Sequence, residues 1–66
     1  MQIEVNGKPR EVDGGTSVAD LVAELELDDR LVVVELNREI VRRTERAAVN
    51  LEPGDRVEIV HFVGGG

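Results

Sequence analysis

The chain has 66 residues and no cysteine: one small domain with a thin margin of stability, without disulfides or thiolate-held metal clusters. Its net charge of −6 and single aromatic residue, Phe62, argue against nucleic acid, which needs a basic face and stacking rings, and against anionic membranes, and favour steering toward a basic partner surface. The longest apolar run, residues 31–34, is far too short to span a bilayer, and no charged and apolar leader opens the chain, so the expected location is the cytoplasm.

The opening "MQIEVNGKPREV" alternates: Ile3 and Val5 point one way, Gln2 and Glu4 the other, as in a half-buried strand. Asn6-Gly7 tolerates positive φ and predicts a hairpin. A second strand over residues 8–12 then returns, with Pro9 suited to an edge that can lack one N–H. "DGGTSVADLVAELELDD" turns and enters a helix. Thr16 or Ser17 caps it, and Asp20, three residues after Ser17, forms a shortened capping box. Val18, Leu21, Val22 and Leu25 share one stripe at helical spacing and are assigned to the core.

"RLVVVELNREIV" reads as a buried strand, a turn at Asn37-Arg38 with Asn37 left-handed, and a short return strand at about residues 39–41. "RRTERAAVNLEPGD" is a polar connection with one helical turn near residues 44–47, closed by the turn Pro53-Gly54-Asp55. "RVEIVHFV" is the last strand, and it runs into Gly64-Gly65-Gly66. No repeat, linker or second domain is visible.

The order is hairpin, helix, strand, short strand, strand. Two hairpin strands cannot bury the helix stripe alone, so the later strands join them in one sheet. The last strand lies centrally beside the first and parallel to it, with the helix as crossover. The expected fold is therefore α+β: a β-grasp, ubiquitin-like domain over residues 1–62, with a mixed sheet of four to five strands on one helix. Residues 63–66 form a flexible glycine tail.

Enzyme signatures are absent. His61 is the only histidine and has no cysteine to work with; at a strand end it reads as a surface or boundary residue. Ser17 is occupied as a cap. Gly14-Gly15 lacks the lysine and spacing of a phosphate loop. Glu24, Glu26, Asp28 and Asp29 form an acidic group that reads as a solvated helix end.

Two features remain. In the last strand Val57 and Ile59 share the helix-facing side with Ile3, Val5, Val34 and Leu36, which leaves Glu58, Val60 and Phe62 on the other side. Water-facing positions there should be polar, so Val60 and Phe62, joined by Val33, are candidates for a partner-docking patch. The glycine tail cannot pack, but it is thin enough to thread into another protein's active site. A terminal glycine carboxylate is unhindered and has no stereocentre to racemise on activation. It suits a covalent handle worked by another protein's machinery.

This combination resembles the bacterial sulfur carrier proteins, and among them the ThiS family of thiamine biosynthesis. The resemblance runs the whole chain: "MQIEVNG", "GTSVADLVAEL", "VELNREIVRR" and "LEPGDRVEIVHFVGGG". It implies that a ThiF-type adenylating enzyme uses ATP to activate the Gly66 carboxylate. Sulfur from a cysteine desulfurase relay then makes a thiocarboxylate, and thiazole synthase (ThiG) receives it. Gly65 and Gly66, with Gly64, are the implied tail residues; Val60 and Phe62 match partner-contacting positions. The chain is then a protein co-substrate rather than an enzyme, binding no cofactor itself. The molybdopterin synthase small subunit and tRNA-thiolation carriers share this terminus. A non-covalent ubiquitin-like interaction module is an alternative of a different class.

Overall fold

A computed structural model of the chain describes residues 1–62. Five strands and one α-helix appear in chain order: β1 (Gln2–Val5), β2 (Lys8–Glu11), α1 (Val18–Glu24), β3 (Val32–Leu36), β4 (Glu39–Val41) and β5 (Arg56–His61). Two 3-10 turns, Asp29–Leu31 and Arg43–Ala48, flank the β3–β4 hairpin. The strands form one sheet in the order β2-β1-β5-β3-β4. β5 is central, parallel to β1 and antiparallel to β3. This is the expected β-grasp layout, with five strands.

Turn chemistry sets the hairpins. Asn6 and Gly7 take φ of 50° and 81°, and Asn37 and Arg38 take 50° and 72°, the paired left-handed conformations of a two-residue hairpin turn. Past β2, the Val12 N–H donates to the Met1 carbonyl and the Met1 amine to the Val12 carbonyl, so the first hairpin closes at residue 12. β5 runs to His61, and residue 63 of the expected last strand lies outside the described residues.

α1 is fixed at both ends by its own sequence. The Asp20 N–H donates to Ser17 Oγ and the Ser17 N–H to the Asp20 carboxylate, each at 3.0 Å, completing the capping box with Ser17 rather than Thr16 at the cap. At the other end the Glu26 N–H donates to Ala23 O and the Leu27 N–H to Val22 O. This is a Schellman closure, and it places Glu26 at φ 57°, a position normally given to glycine.

The core is aliphatic. Ile3, Val18, Leu21, Val22, Val34 and Val57 are fully buried, with Val12, Val32, Val41, Leu51 and Ile59 around them. Three of the assigned core residues, Val5, Leu25 and Leu36, are only partly buried against its margin, because each sits at the end of its element.

Two expectations change. Arg30 and Leu31 are not part of β3 but of the preceding 3-10 turn, which Asp28 caps by accepting from the Arg30 N–H at 3.0 Å. The acidic group is not simply a solvated helix end. Glu24 and Glu26 are not buried, but Asp29 accepts from Arg43 at 3.0 Å and from Arg46 at 2.8 Å. Arg46, in the second 3-10 turn, is 4% exposed. Its guanidinium also donates to the carbonyls of Asp29 and Val32, each at 2.8 Å, and more distantly to Val41 at 3.4 Å. One buried cation thus ties both 3-10 turns to β3 and β4.

Candidate functional site

The sheet's outer face is built by strand alternation. With Val32 and Val34 buried under α1, Val33 and Glu35 point away from it; with Val57 and Ile59 buried, Arg56, Glu58 and Val60 do the same. Register then decides which side chains meet. Val33 faces Val60, and Glu35 faces Glu58 on one side and Ile40 on the other. The ladder continues past His61, because the Phe62 N–H donates to the Leu31 carbonyl at 2.8 Å.

Val33, Val60 and Phe62 therefore lie on the same outer face. Val60 and Phe62 are each 56% exposed, and Val33, which faces Val60, is half-buried. Sequence reasoning misses two members. Leu31 is exposed and paired to Phe62; the apolar run around it reads as buried strand, although its position two residues before Val33 carries the same parity signal. Ile40 is exposed beside Glu35, and β4 is too short for alternation to reveal its face.

Charge is graded along this face. At the start of β5, Arg56 pairs with Glu4 at 3.2 Å. One rung on, Glu58 opposes Glu35, and among the described residues neither carboxylate has a cation in ion-pair range. Like charges directly opposed across a ladder are destabilising. The apolar rungs Val33–Val60 and Leu31–Phe62 follow, nearest the chain terminus. A shallow hollow bounded by Gln2, Glu4, Pro9 and Arg56 lies at the far end of β5 from Phe62.

The turn that carries Leu31 is electrostatically pinned. The pKa of Asp28 is held down to about 2 by its side-chain hydrogen bonds from Arg30. That of Asp29 is lowered chiefly by the hydrogen bond from Arg46, and further by that from Arg43. Both carboxylates are ionised and serve structure. His61 is exposed and opposes Val32 through the backbone ladder. Among the described residues no group of three or more His, Cys, Asp or Glu could hold a metal ion, and no helix is long and apolar enough to cross a membrane. The tail positions Gly64, Gly65 and Gly66 lie outside the described residues.

One helix laid on a five-stranded mixed sheet, with its last strand central and ending beside an apolar outer patch, defines a β-grasp domain of the ubiquitin-like class. More narrowly, the chain belongs to the ThiS family, whose profile matches residues 3–66. It is 42% identical to the sulfur carrier protein ThiS of Bacillus subtilis, with 97% of this chain matching 98% of that one. It is also 42% identical over its whole length to a thiazole synthase of Paramagnetospirillum magneticum, and 39% to one of Magnetococcus marinus; it spans about a fifth of each, 20%. The crystal structure of the thiamine biosynthesis protein ThiS from Geobacter metallireducens superposes with a TM-score of 0.82 at 40% identity, covering both chains fully.

Proposed function

We propose that this domain is a sulfur carrier, bearing sulfur as a thiocarboxylate at the Gly66 carboxylate and delivering it for thiazole formation in thiamine biosynthesis. The observation that carries this reading is the family match, which continues through the glycine tail to residue 66. The exposed patch of Val33, Val60 and Phe62, with Leu31, supports it, because an apolar surface at the end of β5 suits docking by the enzymes that work on the tail.

The chemistry is balanced by partners. The Gly66 carboxylate attacks the α-phosphate of ATP in a ThiF-type adenylating enzyme, and pyrophosphate leaves. A persulfide supplied by a cysteine desulfurase relay displaces AMP, and two electrons from a thiol release the thiocarboxylate. Thiazole synthase (ThiG) takes the sulfur, and an oxygen from its acceptor substrate or from water replaces it on the Gly66 carbonyl, which restores the carboxylate. Gly65 and Gly64, which carry no side chain, suit entry into narrow sites. The chain itself is a co-substrate, binds no cofactor and works in the cytoplasm. The thiazole synthase relatives that contain a stretch matching this whole domain support that final acceptor.

The test is incubation with ATP and a ThiF-type enzyme, followed by intact-mass measurement of the carrier. An added AMP, and with a sulfur donor the exchange of one oxygen for sulfur, both mapped to the C-terminal peptide, are expected. A folded chain lacking Gly66 should accept neither. Normal loading of that truncated chain would refute the carrier reading.

A further inference from the structure

The central strand β5 is gripped by two asparagines, one from each hairpin turn. The parallel ladder between β1 and β5 reaches Val5–Val57, and the Asn6 N–H still donates to Val57 O at 2.9 Å. There the backbone turns away, with Asn6 at φ 50°, and cannot continue beside β5. Its side chain continues instead. Asn6 Nδ2 donates to the Ile59 carbonyl at 3.1 Å, and the Ile59 N–H donates to Asn6 Oδ1 at 2.7 Å. The amide bonds both polar groups of Ile59, as a continued β1 would have done.

Ile59 has no other backbone partner on that side among the described residues. The β3–β5 rungs with backbone bonds include Asn37–Arg56 and Leu31–Phe62. Alternation along an antiparallel ladder then puts the polar groups of Val60 toward β3 and those of Ile59 away from it. Beyond Val57, Asn6 therefore supplies the whole of the observed bonding on the β1 side of the tail-proximal half of β5. At the strand's other end Asn37 plays the mirror role. It also sits at φ 50°, its N–H donates to Arg56 O at 2.8 Å, and its Oδ1 accepts from the Arg56 N–H at 3.0 Å.

We propose that Asn6 is a positioning residue for the reaction at Gly66: its amide holds the end of β5 so that Val60 and Phe62 meet the adenylating partner already ordered. The proposal rests on the carrier reading above. Without the amide, this segment is held only through the β3 bonds of Val60 and Phe62, and this end of the sheet opens more readily than the domain as a whole. A partner docking there must then re-order it, which weakens binding. Once docked, the carboxylate meets the same chemistry. The consequence is a raised KM for the carrier at unchanged kcat.

Asn37 provides the internal control at the end of β5 away from the tail: the same residue in the same backbone conformation, whose amide accepts from the Arg56 N–H and donates to Asp55 Oδ1 at 3.1 Å. Glycine is the right replacement at both positions, because it removes the amide while keeping positive φ free of strain. The experiment compares the parent chain, N6G and N37G in pyrophosphate exchange catalysed by a ThiF-type adenylating enzyme, with thermal unfolding and hydrogen exchange of the Ile59 amide in parallel. Both variants should unfold at lower temperature. N6G alone should lose Ile59 protection and raise the carrier KM by several-fold to about tenfold with kcat kept, and N6D, which retains the acceptor for the Ile59 N–H, should fall between. N6D also stands in for N6G if the glycine variant does not fold. A parent chain adenylated normally, with N6G or N6D showing the parent KM or N37G sharing the full rise, overturns this proposal alone. A parent chain that is never adenylated overturns the carrier reading and this proposal with it.

Discussion

Replacing Arg46 with alanine removes the cation that joins both 3-10 turns to the β3–β4 hairpin. The side chain is 4% exposed and donates to Val32 O, Asp29 O and the Asp29 carboxylate at 2.8 Å. The Val32 bond is buried, so an unmatched carbonyl there costs about 1–3 kcal/mol. The Asp29 carbonyl is part-buried and adds about 1. The ion pair adds under about 1, because the Asp29 side chain is 41% exposed and screened by water. Loss of the packed stem brings the expected cost to about 3–5 kcal/mol. A chain of 66 residues has roughly 3–10 kcal/mol in all, so R46A should lose about a third or more of its stability. Urea unfolding followed by circular dichroism measures this directly, with the slope checked for two-state behaviour. R46K should be intermediate, since an ammonium cannot span the same acceptors as the planar fork. If R46A lost under about 1 kcal/mol at unchanged slope, the guanidinium would not be holding this corner, and the reasoning would fail.

Four further outcomes are expected. F62A should lose less than about 1 kcal/mol, against ~3–5 for a core phenylalanine, because the ring is 56% exposed; in the adenylation assay it should raise the carrier KM. E58Q should stabilise the fold by about 0.2–1 kcal/mol by relieving the opposition to Glu35, and the gain should shrink as salt is added to the thermal melt. E26G should stabilise the chain by about 0.5–1 kcal/mol in urea unfolding, since residue 26 sits at φ 57°, where a side chain is strained. Asp29 has its folded pKa below the ordinary 3.8, so the unfolded chain binds the proton first as pH falls. Its stabilisation is complete above about pH 4 and is lost as pH drops through the lowered value; D29N should flatten that part of the urea-midpoint profile.

Local signals carried much of the fold. The capping box at Ser17 and Asp20, the left-handed turns at Asn6-Gly7 and Asn37-Arg38, and the period-two pattern of β1 and β5 each depend on residues a few positions apart. They were readable because short-range sterics and hydrogen bonding decide them. Val60 and Phe62 were readable as outward-facing for the same reason: alternation fixes the face once Val57 and Ile59 are assigned to the core.

What could not be read were contacts between distant segments. Nothing in "RRTERAAV" marks Arg46 as buried rather than Arg42 or Arg43; only the convergence of the Asp29 and Val32 carbonyls at one point makes that position a guanidinium site. Asn6 announced a turn, but its bonds to Ile59, 53 residues away, exist only because β5 lies beside β1. Leu31 joined the outer patch through its bond to Phe62 in the same way. Neighbours along the chain settle the helix and its cap, the hairpin turns and the faces of β1 and β5, but not the start of β3 or the face of β4. The tertiary structure alone decided which polar groups had to be matched and which apolar side chains met on the outer face, because those follow from strand order and register.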